Sequence, residues 1–558
     1  MPNRLIIIGG VAGGATAAAR ARRLDENTEI ILFERGPYIS FANCGLPYYL
    51  GGIIEERDEL LVTTPADLSR RYRIDVRTQC EVASIDRQNR EVTVKDLSSD
   101  TVYLERFDKL ILSPGAAPVQ PPLEGINLEN IFTVRTIPDI DGIKQYVDEQ
   151  HPQSAVVVGG GFIGLEMAEN LVHRNITVTL VEMLDQVMAP LDVEMARMVQ
   201  AQLAEKGMQL NLGDGVKRFV KETGRLQVVT EKGNRFACDL VILAIGVRPE
   251  NRLALSAGLA INDQGGIVTD TAMATSDPDI YAVGDAVQVS HRVSGHPAMI
   301  PLAGPANRQG RVAADNVHGR DSTYPGSLGT AIVKIFDQVI ASTGLNEKTA
   351  AQQGLDYRKS YTCSGSHASY YPGSTAMTIK LLFTPKEGKI LGAQIVGEQG
   401  VDKRIDVIAT AICGQMTVYD LAQLELAYAP PFSSAKDPVN MAGFVAANHL
   451  KGDVESVYWD DVPGFSPETH TLIDLRGQDE IDEEGAIPGA RHIPVNDLRD
   501  RMEELDKSKI QVLFCAVGLR GYIAYRILRQ YGFRAVNFSG GFELFRHARL
   551  PAENKTSN

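Results

Sequence analysis

The 558 residues carry 56 Lys and Arg against 70 Asp and Glu, a formal net charge of -14, with 44% hydrophobic and 23% charged side chains. These proportions exclude a disordered chain, and an acidic balance without a long basic run excludes a general nucleic-acid or anionic-membrane surface. The six cysteines, Cys44, Cys80, Cys238, Cys363, Cys413 and Cys515, lack the close pairs of a metal centre or a disulfide scaffold, so no resident metal is expected. The length exceeds one hydrophobic core and predicts about three to five domains. The first apolar run, Leu5 to Ile8, is too short for a signal-peptide core and no stretch approaches membrane-spanning length, so a cytoplasmic protein is expected.

The chain opens with an apolar strand, RLIIIGG, then VAGGATAAARARRL, whose Ala and Arg content suits a helix beginning at the glycines. A second apolar strand, TEIILFE, ends on Glu34. This βαβ pattern binds a dinucleotide: amides at the helix start hold pyrophosphate, and the acidic residue accepts ribose hydroxyls. Gly9 and Gly14 fit the first and third glycines of G-x-G-x-x-G, with Val11 in the middle place. The unit recurs at SAVVVGGGFIGLEMAENL, where Gly159, Gly161 and Gly164 are in full register and Glu182 closes the next strand. The Glu182 carboxylate would bind a free 2′-hydroxyl and repel a 2′-phosphate, which predicts NADH over NADPH.

Three later strands, LILSPGAAP, LVILAIGVRPE and DIYAVGDA, each end in a Gly turn. With both glycine motifs and the Gly284-Asp285 pair, this order resembles the two-dinucleotide-fold flavoprotein disulfide reductases over about 440 residues. The resemblance implies an α/β chain of two Rossmann-like dinucleotide-binding domains, the NADH domain (residues 113–249) inserted in an FAD domain (1–112 and 250–325), then an α+β dimerisation domain (326–445). It assigns FAD to Gly9, Gly14, Glu34, Arg35, Ser113, Gly115, Asp285 and Ala303, the last opening a helix beneath the flavin. It assigns NADH to Gly159, Gly161, Phe162, Ile163, Gly164, Glu182 and Gly246.

In SFANCGLPYYLGG, Cys44 lacks the second cysteine of a CxxxxC redox pair. A thiol of pKa about 8.5 is only about 3% ionised at pH 7, so activation by a helix N-terminus or the flavin is expected. The single-cysteine members of the family are coenzyme A disulfide reductases, NADH oxidases and NADH peroxidases. The oxidases and peroxidases place a histidine in the first glycine loop; here Ala12 stands there, and SFANC matches the coenzyme A branch. By that resemblance Ser40 and Asn43 line the thiol site, and Thr16, Arg20, Arg23, Arg71 and Lys436 contact coenzyme A, with a solvated helix face as the alternative for Arg20 and Arg23. HASYYPG and LAYAPPFSSAKDP match the dimerisation domain, which implies a homodimer with Tyr370 and Tyr428 completing the partner's Cys44 site. The family's histidine before the PLA motif is replaced by Met299.

After a polar linker (446–458), apolar strands alternate with helical stretches, a small α/β domain over 459–555. The domain resembles rhodanese, on the C-x4-R loop Cys515-Ala516-Val517-Gly518-Leu519-Arg520 between a strand and a helix. Related phosphatases need a loop one residue longer to surround phosphate, so sulfur transfer is favoured over phosphate hydrolysis. Loop amides and Arg520 would stabilise a Cys515 persulfide anion. Asp474, Arg476 and His492 read as structural, and the four remaining cysteines as packing residues. The expected function is NADH-dependent reduction of coenzyme A persulfide, polysulfide or coenzyme A disulfide through Cys44, with Cys515 relaying sulfane sulfur. Two alternatives remain: a sulfurtransferase with a redox-sensing flavoprotein half, and an NADH oxidase with a non-catalytic extension.

Overall fold

The computed structural model describes residues 3–222 and 224–549. The chain divides into two compact units, Met1–Met183 with Asp214–Gly329, and Leu184–Gly213 with Thr330–Asn558. In the first unit, Ile280–Ala282, Lys109–Leu112, Arg4–Ile8, Glu29–Phe33 and Asp75–Arg77 form a parallel sheet in that order, with Ile6 opposite Ile31 and Leu110. Leu5, Ile6 and Ile7 are all fully buried, which is why this strand reads as an unbroken apolar run: both sheet faces are covered. The helices Ala12–Leu24 and Ala303–Val317 pack so closely that a Cβ on Gly310 would come within 2.3 Å of the Gly13 carbonyl.

A second parallel sheet orders Thr177–Val181, Ser154–Val158, Leu240–Leu243 and Ile131–Thr133. A short antiparallel pair, Ala116–Pro118 with Val247–Pro249, carries the chain into and out of it. Two three-stranded antiparallel sheets, starting at Cys80 and Val216, flank the two nucleotide folds.

The second unit has a five-stranded antiparallel sheet, ordered Ala331–Ile335, Gln338–Gly344, Ile390–Gly397, Ala376–Phe383 and Arg358–Gly365. The helix Val193–Glu205 groups with this sheet, and the residues at its start bring charge to it. The Lys380 ammonium, fully buried on the sheet, reaches Asp192 at 2.8 Å and also bonds Glu194 and Glu347. A buried cation needs such compensation, and residues 192–194 supply two of the three carboxylates.

The C-terminal domain is a parallel sheet, ordered Ser456–Val457, Ala535–Phe538, Ile510–Phe514, His470–Asp474 and Arg491–His492. Arg476 is completely buried; it pairs with Asp474 at 2.8 Å and Glu484 at 2.9 Å, and lies 3.8 Å over the Phe542 ring. The expected linker is partly helix: Pro438–Lys451 runs into it, burying Ala446, Ala447 and His449 on one face. Tyr458 then donates to the Lys359 carbonyl at 2.8 Å, and Arg197 lies 5.9 Å from the Trp459 ring. These contacts fasten the domain's entry strand to the sheet and to Val193–Glu205. The proposed boundary at residue 555 lies outside the described residues. Among the described residues, no helix is long and apolar enough to cross a membrane.

Candidate active site

Each glycine motif makes a cradle at the end of its first strand. Gly9 has φ +97°, and a Cβ there would meet the Ser113 carbonyl at 2.0 Å; a Cβ on Gly14 would strike the Gly9 carbonyl at 1.8 Å. Close strand-to-helix approach, not flexibility, requires glycine at both. Gly159 repeats the geometry at φ +107° against the Ala244 carbonyl, and Gly164 lies against Gly159. Gly161 and Gly246 face open space, with no atom within 4 Å of a built Cβ, so backbone is presented to whatever enters there. Phe162 and Ile163 open the helix Phe162–His173.

The acidic residues sit where ribose recognition needs them. Glu34 accepts the amides of Gly10 and Gly36, both at 2.8 Å, and Glu182 accepts the Gly160 amide at 2.7 Å. These bonds turn each carboxylate to the glycine turn, the position from which ribose hydroxyls are bound. Asp285 follows the strand Ile280–Ala282, and no hydrogen-bond partner reaches its carboxylate among the described residues; burial pushes its acidity weaker than an ordinary aspartate's. A half-buried acceptor without a donor fits a ligand hydroxyl. Ser113 and Gly115 form the adjoining turn, Gly115 at φ +72°. Arg35 is exposed, 3.1 Å from Glu250, which Arg135 also holds at 2.6 Å. The protein's own groups therefore fit FAD at the first cradle and NADH at the second.

Cys44 is an exposed free thiol in the single turn Asn43–Gly45, before the short helix Leu46–Gly51. The segment is tied to the first glycine turn, because the Ser40 amide donates to the Gly10 carbonyl at 2.8 Å and Ser40 itself takes φ 45°. The Asn43 side-chain oxygen accepts the Cys44 amide at 3.1 Å and lies 3.8 Å from Sγ. Burial pushes the Cys44 thiol pKa up, and the carboxylates of Glu166 and Asp285 push it further. Glu166 is a residue the sequence reading missed. Burial raises its own pKa to about 7, and the Tyr48 hydroxyl donates to it at 3.1 Å. Its signal is the position two residues past Gly164, on the helix that begins at the second cradle.

The proposed coenzyme A contacts differ in what holds them. Thr16 donates to Asn307 at 2.5 Å, and Arg20 pairs with Asp315 at 2.7 Å, so both tie the first helix to Ala303–Val317. Arg20 is thus held by a carboxylate in the chain without a bound ligand. Arg23 stays available, 5.9 Å over the Tyr72 ring, and Tyr72 follows Arg71 at the end of the helix Pro65–Tyr72. In the second unit Lys436 is exposed, and Tyr370 and Tyr428, 73% and 49% exposed, share a hydrogen bond of 2.9 Å. That bond raises the Tyr370 pKa and fixes two phenols side by side on a free surface of the chain.

Cys515 is buried where the strand Ile510–Phe514 ends. The Gly518 amide donates to its Sγ at 3.1 Å, with Gly518 at φ +114° turning the loop into the helix Leu519–Gln530. From behind, the Phe542 amide holds the Cys515 carbonyl at 2.8 Å. Arg520 is clasped by Glu480, two bonds of 2.5 and 2.6 Å. Glu480, 40 residues earlier, had no signal in the sequence.

Two nucleotide cradles, a lone cysteine tied to the first of them and a separate sulfur-holding loop define a flavoprotein-type disulfide oxidoreductase with a rhodanese-like appendage. Residues 3–310 match the pyridine nucleotide-disulphide oxidoreductase family, residues 330–438 its dimerisation domain and residues 465–548 the rhodanese-like domain. The chain belongs to the pyridine nucleotide-disulphide oxidoreductase family and is an enzyme of that class. It is similar to the coenzyme A disulfide reductase of Staphylococcus haemolyticus strain JCSC1435, 38% identical over 444 residues, 79% of this chain and 99% of that one. Among solved structures, reduced Bacillus anthracis CoADR-RHD superposes with a TM-score of 0.95 at 48% identity, covering 98% of both chains. An NAD-dependent persulfide reductase from A. fulgidus gives 0.92 at 37% identity, covering 97% of this chain and 100% of that one.

Proposed function

We propose that the enzyme uses NADH to reduce coenzyme A persulfide or coenzyme A disulfide through Cys44, while Cys515 relays sulfane sulfur to coenzyme A. The observation that carries this reading is the pairing of a lone exposed thiol at the first dinucleotide cradle with a second, independently built sulfur loop. FAD and NADH, when bound, supply the electron pair that opens a disulfide at Cys44. The Cys44 thiolate attacks the inner sulfur of coenzyme A persulfide; the sulfur–sulfur bond breaks, hydrosulfide leaves with its electron pair, and a Cys44–coenzyme A disulfide forms. Two electrons and a proton then return free coenzyme A and the Cys44 thiolate.

Glu166, half-protonated near neutrality, holds a proton beside Cys44 for the departing sulfur. Glu182 selects NADH over NADPH, and Arg23, Arg71 and Lys436 meet the coenzyme A phosphates. Tyr370 and Tyr428 act at the Cys44 of a partner copy in a homodimer, where their hydroxyls stabilise a thiolate or protonate a leaving one. The test is anaerobic NADH oxidation with coenzyme A persulfide and with coenzyme A disulfide. Undiminished turnover in Cys44→Ser rejects the scheme. Cys515→Ser is expected to keep coenzyme A disulfide reduction and to lose use of external sulfur donors; equal loss on both substrates contradicts separate roles.

A further inference from the structure

The positive charge of the C-terminal loop faces Cys515 but is shared with a carboxylate. Arg520 supplies the one cation of the loop itself, and both of its terminal nitrogens are bound by the two oxygens of Glu480. This is a planar, bidentate pair, the strongest geometry an arginine makes with a carboxylate. Glu480 is held in place for the task, because one of its oxygens also accepts the Gly477 amide at 2.8 Å at the start of the helix Gln478–Glu484. Its pKa is lowered to about 2 by the Arg520 hydrogen bonds, so it is an anion at every working pH. Arg476, in the same domain, is likewise held by Asp474 and Glu484. The rim is apolar on the other side: Leu519, inside the loop, is 61% exposed, and Ile523 one turn later is 42% exposed.

We propose that Glu480 is a specificity-determining residue that makes the Cys515 loop accept sulfur from an organic, carbon-bound persulfide and discriminate against the inorganic dianion thiosulfate. The proposal rests on the sulfur-relay reading of Cys515. Either donor transfers sulfur by the same step. The Cys515 thiolate attacks the outer sulfane sulfur, the donor's sulfur–sulfur bond breaks, and the leaving group departs with the bonding pair as sulfite from thiosulfate or as a thiolate from the persulfide. Charge is conserved in both, and Cys515 ends as a persulfide anion. The donors differ in what must approach. Thiosulfate brings two negative charges on a compact, strongly hydrated group to a loop whose one cation is already paired with a carboxylate. An alkyl persulfide brings one, with a carbon chain that Leu519 and Ile523 can cover. The loop amides serve both donors equally, so the discrimination falls on the Glu480–Arg520 pair.

The experiment loads the full-length holoenzyme with thiosulfate or with cysteine persulfide, and follows sulfur added at Cys515 by intact-protein mass and by rate. Glu480→Gln keeps an oxygen for Gly477 and Arg520 but removes the charge. It is expected to raise thiosulfate loading about tenfold relative to persulfide loading, because a repelling charge is removed and Arg520 loses its ionic partner. Glu480→Asp retains the charge and is expected to keep the wild-type preference, which separates charge from any loosening of the helix start. Persulfide loading with unchanged or lower relative thiosulfate loading in Glu480→Gln overturns the specificity role while leaving the relay standing. Failure of both donors to load Cys515 in wild type and variants overturns the relay reading and the proposal with it.

Discussion

Cys44 and Cys515 are the two sulfur sites of one chain, and they solve opposite problems. Cys44 lies in an exposed turn, and partial desolvation of its thiol together with the carboxylates of Glu166 and Asp285 raises its pKa. Cys515 is buried, and a backbone amide already points at its sulfur. A loop that brings its own donor can store an anionic sulfur between encounters. A thiol near carboxylates ionises more readily when another group supplies the compensating charge.

Removing each sulfur site's chemistry is the strongest way to break that contrast. Cys44→Ser is expected to lower NADH-dependent coenzyme A disulfide reduction by about a thousandfold or more, because no second cysteine takes over the nucleophile's role. Arg476→Ala leaves the buried Asp474 without its cation and is expected to destabilise the C-terminal domain by about 3–5 kcal/mol in denaturant melts. If the contrast between the sites is real, Cys44 chemistry with coenzyme A disulfide survives in that variant while Cys515 loading is lost. Tyr370→Phe and Tyr428→Phe each delete the shared hydroxyl contact; a fall in kcat of about tenfold, with KM little changed, is expected for phenols that act on the reacting sulfur.

The smallest effect sharpens the electrostatic side of the comparison. Because Glu166 raises the Cys44 pKa, Glu166→Gln is expected to move the pH profile of Cys44 alkylation in the holoenzyme to lower pH, by about one unit or less. Alkylation of Cys515, in the other unit, is expected to keep its profile. A shift of Cys44 to higher pH would contradict the placement of Glu166 as a repelling carboxylate.

The βαβ cradles, the parallel sheets and the cysteine of each sulfur site were legible in the residues, because their determinants are local: unbroken apolar strands, glycines at fixed offsets, an acidic residue one strand later. The C-x4-R loop was legible for the same reason, since six consecutive residues carry all of it. What changed that reading came from partners far away in the chain. The pairing of Arg20 with Asp315, on another helix, had no signal in the sequence. Nor did the buried Lys380, nearly two hundred residues on, that bonds the carboxylates at 192 and 194. Glu166 beside Cys44 and Glu480 across Arg520 set the charge of both sulfur sites from separate elements. Charge at a site is a sum over space, and a linear pattern specifies only the terms that are also neighbours in sequence.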